Sequence, residues 1–315
     1  MTDPVLLIGD VTAPMRTRLG EHFELHFREE IEDLTAWLAD TGPHVRQVLT
    51  NGHYGVPPEI LDHLPNLKMV SCYGVGYDNI DTTTCVSRGI VVSHTPDVLN
   101  AEVATTAIML MMACYREILH DDAWARSGDW ARKGNAPLTR SVDNQTIGIL
   151  GMGRIGQEIA RKLAPWNPEI LYHTRTPKDV SFEHVPDLIE MARRSDTLIV
   201  ITPGGAATRH LVDALVLDAL GPKGTLINVS RGTVVDEEAL IAAMKAGRLG
   251  WAGLDVFEDE PNIPPALAAM SNTVLLPHVG SGTIETRAAM GNLAVENLVQ
   301  FQKDGTVVTP VPECR

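Results

Sequence analysis

Three residues in the second half of the chain have the side-chain types that proton and anion chemistry needs. Arg231 stands in INVSRGTVVDEEAL, Glu260 in GLDVFEDEP and His278 in LLPHVGSGT. An arginine holds and polarises a carboxylate or carbonyl oxygen, and a histidine can give a proton to an alkoxide as it forms. A carboxylate beside that histidine stabilises its imidazolium. Upstream, Ile147 to Gly156 reads IGILGMGRIG, in which Gly151, Gly153 and Gly156 form a GxGxxG turn. Such glycines allow a tight turn and let backbone amides approach a pyrophosphate at a helix N-terminus. Taken singly, an exposed Arg or a satisfied His is usually structural. Together with a dinucleotide turn they are what hydride transfer to a 2-keto acid would use.

The elements that must position these residues read as alternating short apolar runs and helical stretches, which makes the fold class α/β with parallel sheets. Around the glycine turn, strands are predicted at Thr146 to Leu150, Ile170 to Tyr172, Thr197 to Ile201, Thr225 to Asn228 and Thr273 to Leu276. Arg231 directly follows the fourth of these and His278 the last, at the carboxyl ends where parallel sheets expose their ligand loops. In the first third, strands are predicted at Val5 to Ile8, Phe23 to Phe27, Val45 to Thr50, Lys68 to Cys72 and Ile90 to Ser93, with a helix at Pro57 to His63. Asn100 offers an N-cap and Glu102 a first-turn charge for a long helix towards Leu119. Its Met109, Met111 and Met112 read as core packing. Asp121 to Asp143, with Trp124 and Trp130, has weak periodicity and reads as an arm or long loop suited to oligomer contacts. A C-terminal helix, Thr283 to Phe301, is expected to return to the first domain. The expected domains are therefore 1–98 with 286–315, and 99–285.

The end of the second strand after the glycine turn selects the cofactor. Where an Asp or Glu would bind a ribose 2′-hydroxyl, the sequence reads Tyr172, His173, Thr174, Arg175, Thr176. Arg175 can grip a 2′-phosphate through its planar fork, with Thr174, Thr176 and Lys178 as further donors. This favours NADP(H), with NAD(H) also admitted if Arg175 is only a solvated arginine. His173 either joins that site or caps the strand.

Composition narrows the partners. Forty Asp and Glu against 26 Lys and Arg give a net charge of -14, which repels nucleic acid. Cys72, Cys85, Cys114 and Cys314 show neither metal spacing nor a disulfide framework, and the N-terminus has no signal-peptide pattern, so the cytoplasm is expected. The apolar run Ala107 to Cys114 is too short to span a membrane. His22 and His26 have i, i+4 spacing, but His26 falls in a strand and no third ligand is near, so no metal site is expected.

The segments LGMGRIG, INVSRGTVVDEEAL, GLDVFEDEP, LPHVGSGT and YGVGYDNID resemble the D-2-hydroxyacid dehydrogenases, particularly the glyoxylate and hydroxypyruvate reductases. The resemblance runs from about Val45 to about Gln300. It implies two doubly wound Rossmann-like domains with a cleft between them: a flavodoxin-like substrate domain from the two chain ends, and a dinucleotide-binding domain carrying a dimerisation arm at 121–143. It implies that Arg231 binds the substrate's carboxylate and keto oxygen, His278 is the general acid and Glu260 raises its pKa. Gly74, Val75 and Gly76 would offer amides to the substrate carboxylate, with Asn51 and Gly52 beside them. Asp255 would orient the nicotinamide amide. Arg154 and Ile155 in the turn, Thr202, Pro203, Thr208, Val229 and Ser230 would border the cofactor. The stretch Gly204 to Ala207 departs from the family's common Leu-Thr-Pro-Glu. The implied activity is NADPH-dependent reduction of glyoxylate or hydroxypyruvate to the D-hydroxy acid by a homodimer. The alternatives are a bulkier acid such as 2-ketogluconate, decided by Tyr54, Tyr73 or Trp130, and a dinucleotide-sensing module like the corepressors that resemble this family.

Overall fold

The computed structural model describes residues 3–314. These fall into two compact units: the chain up to Leu99 together with the chain from Thr283 onward, and Asn100–Gly282.

The first unit is built on β1 (Pro4–Leu7), β2 (Glu24–Phe27), β3 (Gln47–Thr50), β4 (Met69–Cys72) and β5 (Val91–Ser93). All pair in parallel, in the order β2-β1-β3-β4-β5, that of flavodoxin-like sheets. The register aligns Leu6, Val48, Val70 and Val92 in one row across the sheet, and all four are fully buried. Strands covered on both faces read as continuous apolar runs, which is why they stand out in the sequence. The C-terminal helix Ile284–Asp304 belongs to this unit. Ser71 Oγ of β4 donates to its Ala294 carbonyl at 3.0 Å, and Gly291 lies so close to Met15 that a Cβ there would sit 2.7 Å from the thioether.

The second unit carries β6 (Thr146–Leu150), β7 (Glu169–His173), β8 (Glu183–His184), β9 (Thr197–Val200), β10 (Thr225–Asn228), β11 (Trp251–Leu254) and β12 (Thr273–Leu275). Its sheet is parallel throughout and ordered β12-β11-β10-β9-β6-β7-β8. The strand order reverses between β6 and β9, the switch point at which doubly wound sheets bind ligands.

The sequence pattern misses β8, which is only two residues long, and β11. The run WAGL has no β-branched residue. Its Gly253 is dictated by packing instead, since a Cβ there would stand 2.8 Å from Ile227 Cδ1 and 3.1 Å from Leu110 Cβ. The helix predicted from Asn100 to Leu119 ends at Tyr115. Glu117 turns left-handed at φ 44°, and a second helix, Ile118–Arg126, follows. The expected arm is thus not a loop: it consists of the end of that helix, the helix Asp129–Lys133 and an irregular tail. Of the three methionines expected in the core, Met111 is 1% exposed, but Met109 and Met112 are 48% and 36% exposed. Spaced i, i+3, those two share a face that points away from the sheet. Trp130 and Leu138 on the arm are also exposed. His26 accepts from the Trp37 indole at 3.2 Å and approaches Glu24 at the same distance. Among the described residues, no helix is long and apolar enough to cross a membrane.

Candidate active site

The glycine turn connects β6 to the helix Arg154–Leu163. Gly151 takes φ 109°, and a Cβ on it would lie 2.8 Å from the Ile201 carbonyl and 2.9 Å from the Thr202 amide at the end of β9. A Cβ on Gly156 would stand 2.1 Å from the Gly151 carbonyl, so helix and turn pack this closely only because residue 156 is glycine. At Gly153 a Cβ would meet nothing within 4 Å. The helix that starts at Arg154 thus begins next to open space at Gly153, and a helix N-terminus is the kind of end that favours an anion. Thr202 and Pro203 begin the neighbouring loop, which Thr208 closes by donating to the Pro203 carbonyl at 2.8 Å. The departure at Gly204 to Ala207 falls in this loop, where Gly205 takes φ 114°.

Past β7, Arg175 and Thr176 are exposed. The Thr174 hydroxyl donates to the Thr176 carbonyl at 2.7 Å, so it is engaged within the loop. The Lys178 amide donates to the Tyr172 hydroxyl at 2.9 Å and fixes this loop to the strand. His173 Nδ1 donates to the Val185 carbonyl at 3.0 Å, which ties the end of β7 to the residue that follows β8.

The three chemical residues sit after β10, β11 and β12, which are neighbours in the sheet. Asn228 ends β10 and is 1% exposed. Its Nδ2 donates to the Arg231 carbonyl at 3.0 Å, and its Oδ1 accepts from the Ser230 amide at 3.1 Å and hydroxyl at 3.2 Å. Arg231 Nη1 donates to the Ser230 carbonyl at 2.7 Å. Ser230 is thus buried with its donors on Asn228, and Val229 is buried as well; both shape the arginine's loop. Gly232 follows, against the next loop: a Cβ on it would be 1.9 Å from the Phe257 carbonyl carbon.

His278 Nδ1 lies 2.7 Å from Glu260 Oε2, and Glu260 Oε1 accepts from the Phe257 amide at 3.1 Å. The carboxylate can only accept here, so the imidazole carries a proton on Nδ1 and turns Nε2 outward. His278 itself is left-handed at φ 53° and donates its backbone N–H to the Asp255 carbonyl at 2.8 Å. The Asp255 carboxylate, 2% exposed, accepts the next two amides, Val279 at 2.7 Å and Gly280 at 2.8 Å. Burial pushes the Asp255 carboxyl above its usual range, while those two amides and the His278 charge pull it back. The sequence pattern did not show Asn228 and Asp255 as the clamps of the Arg231 and His278 loops. A polar residue ending an apolar strand, as in TLIN and GLD, is the signal that could have found them.

In the first unit, Asn51 Oδ1 accepts from the amides of His53 and Tyr54 at 2.9 and 3.0 Å. Gly74, Val75 and Gly76 are partly exposed beside Gly52, whose amide would lie 3.9 Å from a Cβ on Gly74. His94 Nδ1 donates to the Val75 carbonyl at 3.0 Å, and the Thr95 amide to the Gly74 carbonyl at 2.8 Å. Of the aromatics expected to choose the substrate side chain, Tyr73 is 8% exposed with its hydroxyl on the Arg287 carbonyl at 3.2 Å, whereas Tyr54 is 47% exposed.

The profile described as D-isomer specific 2-hydroxyacid dehydrogenase, NAD binding domain, matches residues 108–280. A glyoxylate/hydroxypyruvate reductase A of Arabidopsis thaliana is 46% identical over 308 residues, 98% of each chain. A 2-ketogluconate reductase of Gluconobacter oxydans is 42% identical over 310 residues, again 98% of each. The structure of an NADPH-dependent glyoxylate/hydroxypyruvate reductase from Sinorhizobium meliloti, in complex with NADP and malonate, superposes with a TM-score of 0.93 at 44% identity, covering 100% of this chain and 98% of that one. With the glycine turn and the paired Glu260 and His278 in place, the chain belongs to the D-isomer specific 2-hydroxyacid dehydrogenase family.

Proposed function

We propose that the protein reduces small 2-keto acids, glyoxylate and hydroxypyruvate foremost, to D-2-hydroxy acids with NADPH. The observation that carries this is the 2.7 Å pairing of His278 Nδ1 with Glu260 in the unit that also holds the dinucleotide turn. NADPH, when bound, supplies the hydride. Arg231 holds the substrate carboxylate and polarises the keto oxygen, so that the charge developing on that oxygen meets a cation already in position. His278 then gives the proton on Nε2 to the alkoxide, while Glu260 keeps Nδ1 protonated and stabilises the imidazolium. Asp255 fixes the histidine's backbone and has lone pairs left for a carboxamide. Gly74, Val75 and Gly76, with Asn51 and Gly52, are proposed as carboxylate-binding loops of the first unit.

The preference for NADPH rests on Arg175 in place of a carboxylate and on the named cofactor of the Sinorhizobium reductase; NAD(H) is the second choice. A second substrate reading, 2-ketogluconate, is favoured by the Gluconobacter relative and by the exposed Tyr54. The exposed Trp130 and Leu138 of the arm, with Met109, Met112, Ile118 and Leu119 on the helices leading into it, suit a homodimer, which light scattering on the purified protein tests. The four cysteines, none of them in a disulfide among the described residues, fit the cytoplasm. The deciding experiment is NADPH and NADH oxidation with a panel of keto acids, compared as kcat/KM. Turnover of glyoxylate and hydroxypyruvate with NADPH supports the proposal, 2-ketogluconate alone favours the second reading, and no turnover with any acid favours a dinucleotide-sensing binding module.

A further inference from the structure

Outside the trio, one histidine ties together two of the loops that carry it. His210 is left-handed at φ 51° and donates its backbone N–H to the Thr233 carbonyl at 2.8 Å, in the turn Gly232–Val234 directly after Arg231. Its half-buried ring lies between two carboxylates. Nε2 makes a short contact with Glu258 Oε1, and Nδ1 is 3.8 Å from Asp236 Oδ2. Both partners are held by their surroundings: the Asp236 carboxylate caps the helix Glu237–Lys245 by accepting the Ala239 amide at 2.9 Å, and the Glu258 backbone amide points to Glu237 Oε2 at 3.5 Å.

Thr233 is two residues from Arg231, and Glu258 is two residues from Glu260. We propose that His210 is a positioning residue, joining the loop after β10 to the loop after β11 and so setting the spacing between Arg231 and the Glu260–His278 proton donor. Two observations divide the work. The contact of Gly232 with the Phe257 backbone stops the loops from approaching further, but contact of that kind does not resist separation. The His210 ring, anchored by its own backbone to one loop and by its Nε2 to the other, does resist it. A reacting geometry tolerates displacements well under 1 Å, and about 1 Å of misplacement can cost on the order of a hundredfold in rate. His210 needs no contact with substrate to matter in this way.

The inference rests on the reductase reading, and the test separates the two. Wild type, His210→Ala, His210→Gln, Glu258→Ala and the His210→Ala/Glu258→Ala double variant are compared for kcat, keto-acid KM and NADPH KM. His210→Ala should lose about tenfold or more in kcat/KM for the keto acid, through kcat and keto-acid KM together, while the NADPH KM stays within about twofold. His210→Gln, which keeps a donor for Glu258, should recover part of that loss, and it also serves if the alanine variant folds poorly. The double variant should be no worse than His210→Ala alone, because both changes cut one link. Unchanged keto-acid kinetics, an equal rise in NADPH KM, or additive losses in the double variant would overturn the proposal while leaving an active wild type intact. A wild type without turnover would remove the reductase reading and this inference with it.

Discussion

Replacing Glu260 by Gln removes one formal charge 2.7 Å from His278 Nδ1 and keeps a side chain of the same shape. Two unit charges about 4 Å apart interact by about 4 kcal/mol at an effective dielectric of about 20. The Glu260 side chain is 18% exposed and that of His278 43%, so solvent lowers the figure towards the value of about 1 kcal/mol or less measured for exposed pairs. A loss of about 1–2 kcal/mol in the stabilisation of the charged imidazole follows, and 1.4 kcal/mol corresponds to about tenfold in rate. The sign is set by the proposed reaction, in which the positively charged imidazole is the proton donor and the carboxylate beside it stabilises that charge. Glu260→Gln should therefore lower kcat for keto-acid reduction about tenfold near neutrality, with keto-acid KM little altered. Initial rates of NADPH oxidation over a range of keto-acid concentrations measure both. A kcat that stays at the wild-type level, or a loss confined to KM, refutes the pairing as the source of proton-donor strength.

Arg175→Ala should raise the KM for NADPH at least about tenfold while changing that for NADH by less than about twofold, since only the former carries the 2′-phosphate that the fork would grip; equal changes would count against that role. Gly232→Ala places a methyl group 1.9 Å from the Phe257 carbonyl carbon, so the two loops must part and stability should fall by about 3 kcal/mol or more in denaturant titration, a wild-type midpoint being the contrary result. Burial pushes the thiols of Cys85 and Cys114 up to about 11 and about 12. In the folded protein at mildly alkaline pH a disulfide reagent should thus modify Cys314, the one thiol that is not buried, well before these two, and all four cysteines should react together after unfolding; rapid labelling of Cys114 in the native state would contradict the burial.

The features legible in the sequence are those decided by local physics. Alternating apolar runs mark strands buried on both faces, and β6, β10 and most of the first sheet lie where such runs stand. Gly151 and Gly156 report a backbone so close to its neighbours that no side chain fits, and that constraint is written in residue type alone. Local signals also mislead where packing decides. Trp251–Leu254 looks unlike a strand because Gly253 answers to Leu110 and Ile227, and Met109 and Met112 look like core although their helix turns them outward.

Arg231, Glu260 and His278 were recognisable as types with a shared resemblance, but nothing local in the chain joins them. Residues 260 and 278 meet because β10, β11 and β12 lie side by side in one parallel sheet, which stacks their carboxyl-end loops at the same edge. The clamps follow from the same arrangement: Asn228 on the Arg231 loop, Asp255 on the amides of Val279 and Gly280, and His210 reaching Glu258 from 48 residues away. Hydrogen bonds and ion pairs of this kind depend on positions in space to within a few tenths of an ångström, and strand order, which no single segment encodes, sets those positions.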